Sequence, residues 1–245
     1  MTKTKDQTKE KKPKPVVLEL RDVTFNSRTE NSIRLRDASL VVREGDLVML
    51  RMNRSQNCRD AASMLQGLQQ PSDGDVLFGN QDWRGKDFDR HYEMRSRIGR
   101  VFDNHAWIQN FNVLENVTLA SRHHRIADAT INQQVDSWAE RFNVPSVSHS
   151  RPSFVDPSVL QIYQWIRALI GEPTLLILER PMNSVSITRL NKFVEVINEV
   201  RKHGTAVVWF TSNVGDLSDD LESPKMDYKL SDGSLRKVTG GSDDE

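Results

Sequence analysis

Runs of apolar residues alternate with stretches of helical spacing along most of this chain. The runs with the length and composition of strands cover residues 16–23, 32–42, 46–50, 75–78, 98–102, 174–178 and 205–211. The last two are short and continuously apolar, which is typical of strands buried on both faces of a parallel sheet. The early strands follow one another closely, which predicts an antiparallel β portion towards the N-terminus.

Amphipathic stretches between the strands predict helices over about 58–66, 86–97, 112–124, 128–142, 158–170 and 187–203. The last of these has one apolar face, formed by Leu190, Phe193, Val194, Ile197 and Val200. Residues 144–158 are rich in Ser and Pro and are predicted to form a loop. Strand and helix alternate with buried strands, so the pattern indicates an α/β domain.

Composition narrows the function classes without identifying one. The chain has 245 residues with 34 basic and 34 acidic side chains, so no global field favours nucleic acid or an anionic membrane. It lacks the roughly 20 consecutive apolar residues of a membrane span. Cys58 is the single cysteine and the six histidines have no metal-ligand spacing. These features predict a cytoplasmic protein with no disulfide and no metal site.

The two ends of the chain differ in charge from the rest. Residues 1–14 contain six lysines against Asp6 and Glu10, and residues 237–245 end in the acidic sequence "GGSDDE". Both ends lack apolar clusters, so we expect disordered tails around a single domain at 15–236. The basic tail leaves open a free-standing module that binds nucleic acid through it, although no nucleic acid partner is expected for the domain.

Five segments of the framework together carry a family resemblance. They are "VVLELRDVTF", "QGLQQPSDGDVLF", "RSRIGRVFDNHAWIQNFNVLENV", "IRALIGEPTLLILERP" and "GTAVVWFTSN". In this order and spacing they resemble the ATP-binding domain of ABC transporters, over roughly residues 16–235. The resemblance implies a P-loop NTPase-like fold with an N-terminal antiparallel β portion and a helical subdomain at about 104–165.

The residues expected to touch nucleotide differ from the pattern of that family. The glycines of its phosphate loop align with Met52, Ser55 and Asn57, its lysine with Cys58, and its magnesium-binding hydroxyl with Arg59. Glycines let backbone N–H groups surround phosphate, and the lysine neutralises it. Cys58 is therefore expected to be an inert helix residue. Arg51, Arg54 and Arg59 are expected to be solvated or paired internally, with capture of an anion as the alternative.

Departures continue at the other aligned positions. The adenine-stacking aromatic residue aligns with Ser27, the glutamine of the glutamine loop with Asp103, and the switch histidine with Ser212. The signature pentapeptide aligns with "VDPSV" at 155–159, where Pro157 has no N–H to donate. The metal-binding aspartate aligns with Glu179 and the general base with Arg180, which cannot accept a proton.

These replacements predict a catalytically degenerate ABC-type domain, a pseudo-ATPase that needs neither ATP nor Mg²⁺. The resemblance implies a permease-type membrane partner, a position at the inner face of a membrane, and pairing with a second copy or another ABC-type domain. Asp103, Trp107 and Phe111 fall where the family receives its membrane subunit and are the predicted docking residues, with a core role as the alternative for Trp107 and Phe111. A functional ATPase with relaxed motifs remains the alternative function.

One further expectation concerns the position of the missing metal. A carboxylate at the end of a buried strand needs a counter-charge, because an unpaired buried charge is expensive. Arg59 aligns with the other metal ligand, so we expect Arg59 to pair with Glu179, with both side chains facing water as the alternative.

Overall fold

A computed structural model describes residues 13–104, 106–182, 185–212 and 220–238. In this part of the chain the strands are β1 (Val16–Phe25), β2 (Leu35–Arg43), β3 (Leu47–Arg51), β4 (Asp73–Phe78), β5 (Gln81–Asp82), β6 (Ile98–Val101), β7 (Leu175–Glu179), β8 (Ala206–Thr211), β9 (Lys225–Ser231) and β10 (Ser234–Lys237). The helices are α1 (Arg59–Leu65), α2 (Phe88–Ser96), α3 (Val113–His123), α4 (Asp128–Arg141), α5 (Pro157–Leu169) and α6 (Ile187–Lys202), with a 3-10 turn at Pro152–Phe154. The predicted tails fall largely on residues 1–12 and 239–245, outside the described part.

The predicted antiparallel portion is a four-stranded sheet in the order β2-β1-β4-β5. Strand β2 approaches the alternation of buried and exposed residues expected of a sheet with one apolar face, whereas β1 and β4 are less regular. Leu20 of β1 lies between Leu40 of β2 and Val76 of β4, and all three are buried. This apolar face packs against the second sheet and α1 in one continuous core.

The second sheet has the order β10-β9-β3-β8-β7-β6, and all neighbours except the β9–β10 hairpin are parallel. The strands β7 and β8 are the two continuously apolar runs of the sequence. The β9–β10 hairpin was not among the predicted strands, although its Asp232-Gly233 turn, with φ of 51° and 84°, is a strong hairpin signal. Helices α3 to α6 cover the face of this sheet that looks away from the antiparallel sheet.

Aromatic stacking forms the centre of this second core. Phe193 of α6 lies between Trp165 of α5 and Trp209 of β8, with ring centroids 4.4 and 5.8 Å away. All three side chains are buried, and burying one such side chain contributes roughly 1.5–3 kcal/mol. The 3.6-residue spacing seen in the sequence of α6 is therefore the spacing of its buried face.

The parallel strands end at the same edge of the sheet, which brings four loops together. In register, Glu179 of β7 lies beside Phe210 of β8, and Arg51 of β3 lies beside Thr211. Loops at the carboxyl ends of parallel strands are the usual location of ligand sites in open α/β sheets.

Candidate functional site

The loops after β3, β6, β7 and β8 converge at this edge and contain most of the aligned pocket residues. Residues 52–58 follow β3, Asp103 follows β6, Arg180 follows β7 and Ser212 follows β8. Hydrogen bonds attach two of the loops to the end of β8: Met52 N–H donates to Thr211 O at 2.9 Å, and Arg180 N–H donates to Phe210 O at 3.0 Å. The predicted positions are thus brought together in space.

The loop at 52–58 has a backbone suited to ordinary L-residues. None of these seven residues, all of which are described, has a positive φ. Its N–H groups are used within the chain: Asn53 N–H donates to Gln56 Oε1 at 2.8 Å, Gln56 N–H to Asn53 O at 3.1 Å, and Asn57 N–H to Asn31 O at 2.7 Å. A loop that surrounds phosphate directs several N–H groups inwards instead.

The carbonyl groups of this loop are directed at a guanidinium group of the same chain. Arg180 Nη2 donates to Gln56 O at 2.6 Å and to Arg54 O at 3.1 Å, with Asn53 O at 3.4 Å. Its Nη1 donates to Asp103 Oδ2 at 2.6 Å. The loop therefore contacts an internal cation through its oxygen atoms.

Glu179 lies deeper, and its partner is Arg100 of β6. Arg100 Nε donates to Glu179 Oε1 at 2.5 Å, and the two side chains are 3% and 1% exposed. The prediction that Arg59 would pair with Glu179 is wrong, because Arg59 is exposed and contributes its backbone carbonyl, which accepts from Arg100 Nη2 at 3.0 Å. The sequence contained a signal that we missed, since an arginine in the buried strand "IGRVF" requires a partner.

Burial and the charges in this cluster shift the pKa values of Cys58 and Glu179. Burial, together with the charge of Glu179, raises the pKa of the Cys58 thiol, whose Sγ lies 3.9 Å from Glu179 Oε2. Burial also raises the pKa of Glu179, while the Arg100 guanidinium acts in the opposite direction. Cys58 is therefore neutral at ordinary pH and buried, as expected for an inert residue.

Ser27, at the position of the adenine-stacking ring, is anchored to helix α1. Its hydroxyl donates to Asp60 Oδ2, and it accepts from Thr29 N–H at 2.9 Å. Asp60 also accepts from Gln69 Nε2 at 2.9 Å. Burial raises the pKa of Asp60, but the hydrogen bonds from Ser27, Thr29 and Gln69 outweigh this and lower it overall. The segment at Ser27 is therefore connected to the chain's own polar groups.

The predicted docking residues lie in a firmly held turn. Asn116 of α3 is buried and accepts from Ile108 N–H at 2.8 Å, while its amide donates to Ile108 O at 3.0 Å and Asn112 O at 2.9 Å. Ile108 and Phe111 are 42% and 38% exposed at the tip of this turn.

Of the other two predicted docking residues, Asp103 is half-buried and bonded to Arg180. Trp107 is half-buried, and the Arg167 guanidinium lies 4.6 Å from its ring centroid. It also packs against the helical core, which supports the core alternative for this residue. Phe111 keeps the exposure that a contact with another protein requires.

The segment aligned with the signature begins helix α5. Asp156 is its N-cap, accepting from Ser158 N–H at 2.8 Å, and Pro157 is the first helical residue. Asp156 is exposed, so its negative charge faces outwards. Helix α5 therefore begins at Pro157, within the last two residues of the predicted loop at 144–158. This agrees with the preference of Pro for the first turn of a helix.

The arrangement offers few ligands for a magnesium ion. A hard cation of this kind takes oxygen ligands, and carboxylates are the strongest of them. Glu179, the aligned carboxylate, contacts a guanidinium, and the neighbouring aligned positions are Arg59 and Arg180. In the described residues no cluster of three or more His, Cys, Asp or Glu has metal-binding geometry. These residues do not fit the metal that the resemblance implies.

No protein-family model matches the chain, but curated proteins do. It is 21% identical over 182 residues to a glutamine transport ATP-binding protein of Geobacillus stearothermophilus, covering 74% of this chain and 75% of that protein. It is 24% identical over 200 residues to a spermidine/putrescine import ATP-binding protein of Acidothermus cellulolyticus, covering 80% and 51%. The chain thus spans about half the length of the second relative.

Solved structures show the same fold. An ATP-binding subunit of an ABC transporter superposes with a TM-score of 0.78 at 17% identity, covering 91% of this chain and 90% of that one. A dimeric ATP-binding cassette, MJ0796, bound to ADP and Pi superposes with a TM-score of 0.79 at 19% identity, covering 92% and 99%. The chain has the ABC-type ATP-binding fold that the sequence predicted.

Proposed function

We propose that this protein is a non-hydrolysing ABC-type domain that serves as a scaffold or regulatory subunit of a membrane-associated complex. The observation that carries the proposal is the state of Glu179, which is aligned with the metal ligand and is buried against Arg100 at 2.5 Å. Releasing that carboxylate for a metal ion would leave Arg100 buried without a counter-charge, which is strongly unfavourable. The following residue, Arg180, cannot act as a general base.

The likeness to ATP-binding proteins of importers supports a permease-type membrane protein as the partner. The turn that presents Ile108 and Phe111 is the surface we assign to this contact. We place the protein at the inner face of a membrane for the same reason. No helix of the described residues meets the length and hydropathy required of a membrane span, so the contact would be peripheral. Pairing with a second ATP-binding-type domain is supported by the dimeric neighbour.

A second candidate is an ATP-hydrolysing subunit with altered motifs. The relatives favour this alternative, because they are described as ATP-binding proteins and one structural neighbour is bound to ADP and Pi. It requires Arg180 and Arg100 to leave their present partners when nucleotide enters.

A calorimetric titration with Mg-ATP, followed by a phosphate-release assay, separates the two candidates. We expect no saturable binding with a dissociation constant below about 100 μM, since that affinity needs roughly 5–6 kcal/mol of net interaction. We also expect no hydrolysis above the buffer rate. Tighter binding together with phosphate release would establish the hydrolysing subunit and reject the scaffold.

A further inference from the structure

Arg180 contacts two separate parts of the chain with the two ends of its guanidinium group. One end donates to Asp103 Oδ2, and the other donates to the carbonyls of Gln56 and Arg54. The Arg180 and Asp103 side chains are 17% and 22% exposed, so the contact is largely shielded from water. A planar guanidinium is suited to such a bridge because its donors are fixed in a fork.

The backbone of Arg180 directs this side chain. Its φ is 43°, a left-handed conformation that is unfavourable for a residue other than glycine. The conformation lies directly after buried strand β7, and the N–H of Arg180 donates to Phe210 O at 3.0 Å. An unfavourable backbone conformation persists only where surrounding contacts determine it, and here those contacts include the ones made by the guanidinium.

Asp103, the acceptor at one end of this bridge, lies close in sequence to the segment at 106–112. Asp103 lies just before it in the chain, and Arg167 Nη1 donates to Ala106 O at 3.2 Å. Arg167 also lies over the rings of Trp107 and Phe102, and Arg100 lies over Phe102 with its guanidinium 4.6 Å from the ring centroid. The end of β7 is therefore linked towards this segment in two ways. Arg180 bonds to Asp103, which precedes the segment in the chain. Arg100, paired with Glu179, lies over the same Phe102 ring as Arg167, and Arg167 contacts Ala106 and Trp107.

We propose that Arg180 is a positioning residue, an internal ligand that holds the loop at 52–58 and the segment at 106–112 in a fixed relation. No bound nucleotide or other ligand is needed to hold the two stretches together, because the Arg180 guanidinium is part of the chain. The consequence is a surface around Ile108 and Phe111 that is permanently ready to receive a partner. The readiness of this surface for a partner rests on the proposed docking role. The coupling, meaning that Arg180 holds the loop at 52–58 and the segment at 106–112 together, does not depend on that role.

Hydrogen-exchange mass spectrometry on the full chain tests the coupling without any partner. We expect Arg180→Asn to accelerate exchange by about tenfold or more in both stretches, because loss of the bridge raises the population of locally open forms. Asn tolerates a positive φ, so the change removes the guanidinium without adding backbone strain. Arg180→Lys keeps the charge but not the fork, so the segment at 106–112 should stay protected while the loop at 52–58 loosens.

Two further variants make the result specific. Asp103→Asn should accelerate exchange at 106–112 and leave the loop at 52–58 protected. Arg189→Ala is the matched control, since Arg189 is half-buried and donates to Ser158 Oγ at 2.9 Å, away from both stretches. It should change neither stretch. Circular dichroism confirms folding of each variant, and if Arg180→Asn does not fold, Arg180→Lys and Asp103→Asn decide the question.

The coupling is rejected if Arg180→Asn loosens only the loop at 52–58, or if Asp103→Asn leaves the segment at 106–112 unchanged. The same measurement on the unaltered chain with Mg-ATP addresses the proposed function separately. Altered protection there would contradict the absence of Mg-ATP binding expected from the proposed function, whatever the variants show about the bridge.

Discussion

Arg100 and Glu179 form a buried ion pair between two adjacent parallel strands, with Nε and Oε1 at 2.5 Å. Arg100 makes three further hydrogen bonds, to Ser63 Oγ at 3.1 Å, Gln66 Oε1 at 3.1 Å and Arg59 O at 3.0 Å. These contacts matter because a buried pair offsets its desolvation cost only when its remaining donors are satisfied. A chain cation thus occupies the neighbourhood where the resembling fold holds a metal.

Breaking this pair should destabilise the fold strongly. We expect Arg100→Met to lower the free energy of unfolding by about 3–5 kcal/mol, because it leaves Glu179 buried and uncompensated. Arg100→Met combined with Glu179→Leu should recover much of that loss, since it removes both charges. Urea denaturation of the four members of this cycle gives the coupling energy.

Arg59→Ala is the control for that cycle. Arg59 is exposed, and its contact with Arg100 uses the backbone carbonyl, which the substitution retains. The free energy of unfolding should change by less than about 0.5 kcal/mol. If Arg59→Ala lowered the free energy of unfolding by several kcal/mol and Arg100→Met had little effect, Arg59 and not Arg100 would be the partner of Glu179, as expected from the sequence.

Restoring the family residues of the loop should not create an ATPase. Cys58→Lys with Arg59→Ser leaves Arg180 bonded to the loop carbonyls and Glu179 bonded to Arg100. It also leaves Met52, Ser55 and Asn57 in place of glycines, without the conformational freedom of a phosphate loop. We expect no phosphate release above background; a turnover of roughly 1 s⁻¹ or more, typical of enzymes, would show that the loop alone limits activity.

Acid should weaken the contribution of Asp60. Its hydrogen bonds hold its pKa below the usual value, so its stabilisation is present above the unfolded pKa of about 3.9 and is lost as pH falls through the lower folded value. Asp60→Asn should therefore lower the free energy of unfolding by about 1 kcal/mol at neutral pH. The gap to the unaltered chain should close as pH falls below about 4. An unchanged gap across that range would show that the loss arises from packing.

The proposed docking surface gives a comparison of two exposed phenylalanines. Phe111 is 38% exposed beside Ile108, whereas Phe154 is 79% exposed before helix α5. We expect Phe111→Ala to reduce co-purification with a permease-type membrane protein by about tenfold, since aromatic anchors often contribute more than 1 kcal/mol to an interface. Phe154→Ala should have little effect. If both variants retain the partner equally, the contact with the membrane protein lies elsewhere on the domain.

Hydrophobic spacing was enough to predict the six described helices and the strands β1 to β4 and β6 to β8. Burial with a period of two or of 3.6 residues is local, so the boundaries of α4 and α6 lie within about two residues of those predicted. Strands β9 and β10 were not predicted because both have mixed polarity and few buried residues, and only their Asp-Gly turn marked them.

The order of strands in the sheet decided the partners of the buried charges. Arg100 and Glu179 are 79 residues apart in sequence and meet because β6 lies beside β7. The sequence by itself determined that Glu179 needed a cation, since a buried carboxylate must be compensated. It also determined that glycines and a lysine were absent from the loop at 52–58. Tertiary structure alone decided which arginine compensates Glu179 and that Arg180 points into the loop, because these depend on strand neighbours and on the φ of one residue.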